Sequence, residues 1–228
     1  MKIKICLVKI LLVILTAGLL PQKSFPQELR FGLFAEPLIS WFSSDTDVSM
    51  SDGARPGMAF GITIDRYFAR NYAFTGGISI INASGRLRYA EEMPVWLKYS
   101  QVDLEAGDKI TYKIQYLAFP LGLRMKTNWI SYTIFSADMG LSPRIIIGGK
   151  GSIPSLDIEK ESITQELKLL ALGFFFTINA EYPLGGRTAV TAGLGYENIF
   201  TDVTNDHDVQ PDDKITQHLI RIRLGMNF

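Results

Sequence analysis

Apolar and polar residues alternate along most of this chain with a period of two, the spacing of strands whose two faces meet different surroundings. The closing segment, QHLIRIRLGMNF, is the clearest case. Ile220, Ile222, Leu224, Met226 and Phe228 share one face, and Arg221, Arg223, Gly225 and Asn227 share the other. Over 29–42, Leu29, Phe31, Leu33, Ile39 and Trp41 oppose Arg30, Gly32, Glu36 and Ser40. Over 57–69, Met58, Phe60, Ile62, Ile64 and Phe68 oppose Thr63, Asp65 and Tyr67. The same alternation predicts strands at 72–87, 111–126, 129–147, 167–183 and 187–200, making eight in all.

The connections alternate in length. Short turns rich in Asn or Gly, ARNY, KTNW and PLGGRT, join strands two to three, four to five and six to seven, as hairpins require. The others are long and polar: SSDTDVSMSDGARP, RYAEEMPVWLKYSQVDLEAGDK, GGKGSIPSLDIEKESITQE and TDVTNDHDVQPDDK. Short turns at one end and long loops at the other are the plan of a bacterial outer-membrane barrel. Aromatics cluster toward strand ends, Trp41, Phe42, Tyr196 and Phe200 near the long loops and Phe68, Tyr72, Trp129, Tyr182 and Phe228 near the short turns, as two interfacial girdles would. The expected fold is therefore all-β: an eight-stranded antiparallel transmembrane β-barrel with up-and-down meander topology. A soluble β-barrel or sandwich would also alternate, but would carry more Lys and Glu on its strands. Here lysine is nearly absent from strand centres.

In this reading the apolar face meets lipid and the other face fills the lumen, which eight strands leave just wide enough for side chains. That face is expected to be small and polar, with glycines making room for Arg30, Glu36, Asp65, Arg124, Asp138, Arg144, Glu181, Glu197, Arg221 and Arg223. Unpaired charges away from bulk water are costly, so these ten are expected to form a paired network.

The first 27 residues differ from the rest. Lys2, Lys4 and Lys9 precede an apolar run, then Ala17 and Gly18, the order of a secretory signal peptide. The run is too short to span a bilayer comfortably, since about 20 residues are needed. The domain plan is thus a signal peptide at 1–27 and a barrel domain at 28–228. Cys6 is the chain's single cysteine and falls in the signal, so no disulfide framework is expected. The whole chain has 23 basic and 23 acidic residues; without Lys2, Lys4, Lys9 and Lys23 the balance is 19 against 23, or −4. A mildly acidic protein argues against a nucleic-acid partner.

At YLAFPLGLRMK, 116–126, the chain resembles the Tyr-Leu-x-x-Pro-Leu-x-Leu strand of the PorT-like eight-stranded outer-membrane barrels of Bacteroidetes, and RIRLGMNF is similar to that family's closing strand. The first strand, with AEPLISWF, departs from the family's glycine-rich opening. The resemblance implies an architecture and an outer-membrane location. It implies no single activity, although some members are linked to protein secretion. A terminal Phe228 also looks like the signal read by the barrel-insertion machinery.

Few residues suggest chemistry. His218 is expected on the lipid face near the outer interface, where barrel enzymes that trim lipid A place a histidine beside a hydroxyl nucleophile. The nearby hydroxyl is Thr216, no orienting acid is evident, and an interfacial histidine is the simpler reading. Asp202, Asp206, Asp208, Asp212 and Asp213, with His207, crowd one loop; their spacing does not fit an EF-hand, and a solvated acidic loop that bridges lipopolysaccharide cations is simpler. Met93, Pro94, Val95, Trp96, Leu97 and Tyr99 form an apolar loop patch that either touches a partner, with Trp96 and Tyr99 as contacts, or packs over the barrel mouth. No phosphate-binding loop, zinc spacing or nucleophile elbow appears, so no cofactor is expected. The leading expectation is a non-enzymatic barrel, integral to the outer membrane among its lipid and lipopolysaccharide, that displays long loops to a ligand or envelope partner. A narrow pore or secretion-associated barrel is the alternative, and a lipid-modifying enzyme the third.

Overall fold

The computed structural model of the protein describes residues 28–97, 101–205 and 213–228. Residues 1–27, where the signal peptide is expected, lie outside them. In chain order the strands are β1 (Leu29–Ser44), β2 (Ser49–Ala69), β3 (Tyr72–Tyr89), β4 (Met93–Trp96), β5 (Gln101–Leu104), β6 (Lys109–Ala118), β7 (Leu121–Lys126), β8 (Ile134–Ile153), β9 (Ile158–Ser162), β10 (Leu170–Gly185), β11 (Thr188–Ile199) and β12 (Ile215–Asn227). Eight staves form a closed antiparallel ring: β1, β2, β3, β6 with β7, β8, β10, β11 and β12, which pairs back onto β1. Gly32 stands opposite Asn227, and Phe31 and Phe228 exchange backbone hydrogen bonds of 3.2 and 2.7 Å across the closure. A closed ring leaves no unpaired edge, which matters when one face cannot be wetted.

The eight predicted strands are the eight staves, with three differences. The fourth is broken at Phe119–Pro120. Proline has no N–H to give the ladder, and the local bonds are instead Phe119 N–H to the Pro143 carbonyl at 2.8 Å and Gly77 N–H to the Pro120 carbonyl at 3.1 Å. The fifth starts at Ile134 rather than 129, because a tight turn closed by an Ile130–Thr133 bridge takes up the preceding residues. Several strands also run well past their expected ends on the long-loop side: β2 begins at Ser49 and β8 ends at Ile153, inside segments expected to be loops.

These overhangs have a physical reason. On β3, Tyr72, Phe74, Ile78 and Ile80 point outward while Ala73, Thr75 and Ser79 are buried inside. Beyond Ile80 the polarity of the two faces exchanges. Asn82, Ser84, Arg86 and Arg88 point outward, and Ile81, Ala83, Leu87 and Tyr89 point inward. The fourth stave repeats this: Leu121 and Leu123 lie outside with Arg124 inside, then Lys113 and Gln115 outside with Ile110, Tyr112 and Ile114 inside. One half of the barrel is greasy outside and polar within. The other half is built like a water-soluble barrel. The apolar outer band, such as Met58 to Phe68 on β2 and Ile220 to Phe228 on β12, matches the roughly 9–11 residues that a tilted transmembrane strand needs.

The soluble-like half encloses an apolar core, so the expectation that the inner face is polar throughout is corrected there. Leu38, Phe42, Leu87, Leu104, Ile110, Tyr112, Ile114, Ile153, Ile163, Ile199 and Leu219 are among its members. Phe42, expected in the interfacial girdle, instead points inward and meets Tyr112 edge-on at 5.8 Å. Gly85 lies under the Phe42 ring, where any Cβ would collide with it. The β4–β5 hairpin closes the top of this core: Met93, Val95, Leu97 and Leu104 are buried in it. Of the two readings of that loop, the apolar residues 93, 95 and 97 follow the one in which it packs over the mouth. The reason is burial: each large side chain taken from water contributes roughly 1.5–3 kcal/mol.

Candidate functional site

The polar half of the lumen brings the ten expected charges together in one connected ladder. Arg30 reaches Glu181 at 3.0 Å, and Glu181 lies 3.8 Å from Arg124. Arg124 grips Asp138 with two hydrogen bonds of 2.7 and 2.8 Å and also pairs with Asp65. Asp138 leads to Arg223 at 3.6 Å, and Arg223 donates to Glu36 at 2.5 Å. Arg221 bridges Glu36 at 3.3 Å and Glu197 at 3.1 Å, and Glu197 ends the ladder on Arg144. Seven of the eight staves contribute; β3 supplies only Thr75 and Ser79 to this layer. Five arginines face five carboxylates, so the ladder is neutral as a whole. Asn179 donates to Asp138 at 3.0 Å and tightens its middle.

Above Arg144 the polar layer gives way to the apolar core through two residues that belong to both. Arg144 lies over the Tyr116 ring, 5.1 Å from its centre, and the Tyr116 hydroxyl donates to Gln217 at 2.6 Å. Arg144, Tyr116, Glu197 and Gln217 are all fully buried. The lumen is thus filled from the ladder through to the β4–β5 cap.

The other predicted residues are accounted for as follows. His218 lies on the outer face, stacked on Trp41 at 5.4 Å, and its Nδ1 is contacted at 2.8 Å by both the Tyr196 hydroxyl and the Asn198 amide. Thr216 does not face it as a nucleophile would, because its hydroxyl donates to the Ser43 carbonyl at 3.1 Å. Trp41, His218, Tyr196, Phe174 and Phe200 form a continuous aromatic girdle. In the acidic loop, Asp202 pairs with Lys168 and accepts from the Thr204 and Ile215 N–H groups at 3.3 and 2.9 Å. Asp213 is buried and accepts from the Ser49 hydroxyl. These two aspartates knit strand ends together and are not free to serve as solvated ligands. Asp206, His207, Asp208 and Asp212 lie outside the described residues, as does Tyr99. Among the described residues no three His, Cys, Asp or Glu side chains gather where a metal could be held. Trp96 is half-buried, and its backbone N–H donates to the Glu166 carboxylate at 2.7 Å, which ties the hairpin to the segment before β10. Phe228 is exposed on the outer face at the closure.

Two charge clusters outside the lumen were not foreseen. Asp52, near the start of β2, collects Arg86 at 3.6 Å, Arg88 at 2.9 Å and Lys109 at 3.2 Å. Hydrogen bonds from Arg88 and Lys109 hold its carboxyl down at about 2, so it is charged at any neutral pH. The second cluster comprises Lys113, Lys150 and Lys160. Strict alternation from Arg144 and Ile146 would turn Lys150 inward. A β-bulge at Ile147, between the Tyr116–Ile146 and Gln115–Gly148 pairs, resets the parity, so that Gly149, Gly151 and Ile153 face in and Lys150 faces out. The one hint in the sequence is the glycine pair 148–149, since glycines inside a strand often mark bulges.

A family model described as outer membrane protein beta-barrel domain matches residues 22–166. The chain belongs to that family and is an integral β-barrel protein of the outer membrane. Comparison with curated proteins finds no match. Among solved structures, the chain is similar to Neisserial surface protein A (12% identity, 87% of this chain and 95% of that one, TM-score 0.47). It is also similar to the outer membrane protease OmpT from Escherichia coli (8% identity, 90% and 99%, TM-score 0.43). A third is the attachment invasion locus protein Ail of Yersinia pestis (12% identity, 87% and 98%, TM-score 0.38).

Proposed function

From that membership we propose that the protein is a sealed, non-enzymatic barrel that holds a rigid β-structured platform outside the bilayer for a ligand or envelope partner. The observation that carries this reading is the continuous filling of the lumen, ion ladder below and apolar core above, under the β4–β5 cap. A conducting pore needs a wetted path, and eight staves leave room for little more than the side chains already present. The non-enzymatic part is supported by the bonding of His218 to Tyr196 and Asn198 and of Thr216 to Ser43, which leaves that pair without a nucleophile. The strand residues 116–126 and the closing strand support a place in the PorT-like group of Bacteroidetes.

The test is electrical. Purified protein inserted in a planar bilayer is expected to give no steady single-channel current under an applied voltage. A stable, salt-dependent conductance carried by the wild-type protein would overturn the sealed-barrel reading and favour transport.

A further inference from the structure

Three outward-facing lysines at the polarity switch, Lys113, Lys150 and Lys160, line one groove, and we infer that this groove binds the phosphates of a phosphorylated outer-leaflet lipid. The groove measures about 740 Å³ and lies on the outer surface where β2, β3, β6, β8 and β9 meet. Its charged lining is Lys113, Lys150 and Lys160; the neutral polar lining includes Asn82, Gln115 and Ser162, and none of the described lining residues is a carboxylate. Lys113 and Lys150 are direct cross-strand partners, an arrangement that is unfavourable on its own. Among the described residues none of the three forms an ion pair, whereas the nearby Arg86, Arg88 and Lys109 all pair with Asp52. Asp157 and Glu159 line the adjoining cleft with Lys113 and Lys160, but the groove itself holds no acid, and like charges side by side on a net acidic barrel domain point to an anion supplied from outside.

The height of the groove identifies the source of that anion. Its lower rim is Met58 and Ile147, both exposed and both at the top of the apolar outer band. The lysines therefore stand at the boundary where acyl chains end and headgroups begin. They stand at the long-loop end, which in outer-membrane barrels faces outward. A phosphorylated glycolipid of the outer leaflet would lay its acyl chains against Met58 and Ile147 and its phosphates on the lysines. The bulge at Ile147 is what makes this possible, because it alone sends Lys150 to the surface.

Native mass spectrometry of the detergent-solubilised protein tests this, with heat-dependent gel mobility to check that each variant is folded. With bisphosphorylated lipid A as probe, the wild type is expected to carry a lipid adduct. The triple variant Lys113→Gln, Lys150→Gln, Lys160→Gln is expected to bind about a hundredfold more weakly, since each lysine at a membrane surface is worth roughly a factor of five. The matching triple Lys→Arg variant should keep the adduct, and dephosphorylated lipid A should bind no better to the wild type than to the Gln variant. The inference is overturned if the Gln variant binds as tightly as the wild type, if dephosphorylated lipid binds equally well, if phosphatidylglycerol binds as tightly as lipid A, or if inorganic phosphate alone displaces the lipid.

Discussion

Replacing Arg124 by methionine is expected to cost the barrel about 3–5 kcal/mol, the penalty for removing one partner from a buried ion pair. Arg124 is the branch point of the ladder: it is fully buried and touches Asp65, Asp138 and Glu181. Methionine fills much of the same space, so the loss comes from three buried carboxylates left facing one another without their guanidinium. Denaturant unfolding in detergent, followed by gel mobility, measures it. The companion variant Arg124→Met with Asp65→Asn and Asp138→Asn should recover much of the loss, because neutral amides no longer need the guanidinium. If Arg124→Met alone unfolds like the wild type, the ladder does not hold the staves together.

A second large effect is expected at the opposite end. Val95→Asp would place a carboxylate in the apolar core beneath the β4–β5 cap, where Val95 is buried. Burying an unpaired charge costs several kcal/mol, so the hairpin is expected to leave its seat. The readout is limited proteolysis, with cleavage between residues 90 and 108 greatly accelerated. The lower barrel should stay closed and keep its folded gel mobility, since the ladder residues bond to one another and, among the described residues, share no ion pair with the hairpin. Val95→Thr, nearly the same in volume and uncharged, should be cleaved much more slowly than Val95→Asp. Equal resistance of wild type and Val95→Asp would mean that the cap does not pack as described.

The staves and the ladder could be read from residue order because both follow the period of two. Arg30, Asp65, Arg124 and Asp138 each fall on the lumen parity of their strand, and the need for neutrality supplies the pairing. The upper core was also written in the pattern, since Leu87, Tyr89, Ile110, Tyr112 and Ile114 sit on the same parity as Thr75, Ser79 and Arg124. Reading those strands as lipid-facing along their whole length hid the exchange of faces. Phe42 follows the same rule: it stands at a strand end, as a girdle aromatic would, but its parity is that of Leu38 and Ser40 and turns it into the core. Lys150 was out of reach of any periodic reading, because a single bulge inverts everything after it. The partners chosen by Asp52, Asp202 and Asp213 depend on contacts between distant loops, which alternation does not encode.

The exchange of faces is the claim on which the rest depends, and spin labels along the outward side of β3 test it directly. Cys6 is the chain's single cysteine, so in a Cys6→Ser background single cysteines can be introduced at Phe74, Ile78, Ile80, Asn82, Ser84 and Arg86 without interference. In lipid bilayers, labels at 74, 78 and 80 are expected to relax with oxygen dissolved in the hydrocarbon and to ignore a water-soluble nickel chelate. Labels at 82, 84 and 86 should do the reverse, with the crossover between Ile80 and Asn82. Uniform access of the nickel chelate along all six positions would contradict the account, for it would mean that water wets the whole outer face.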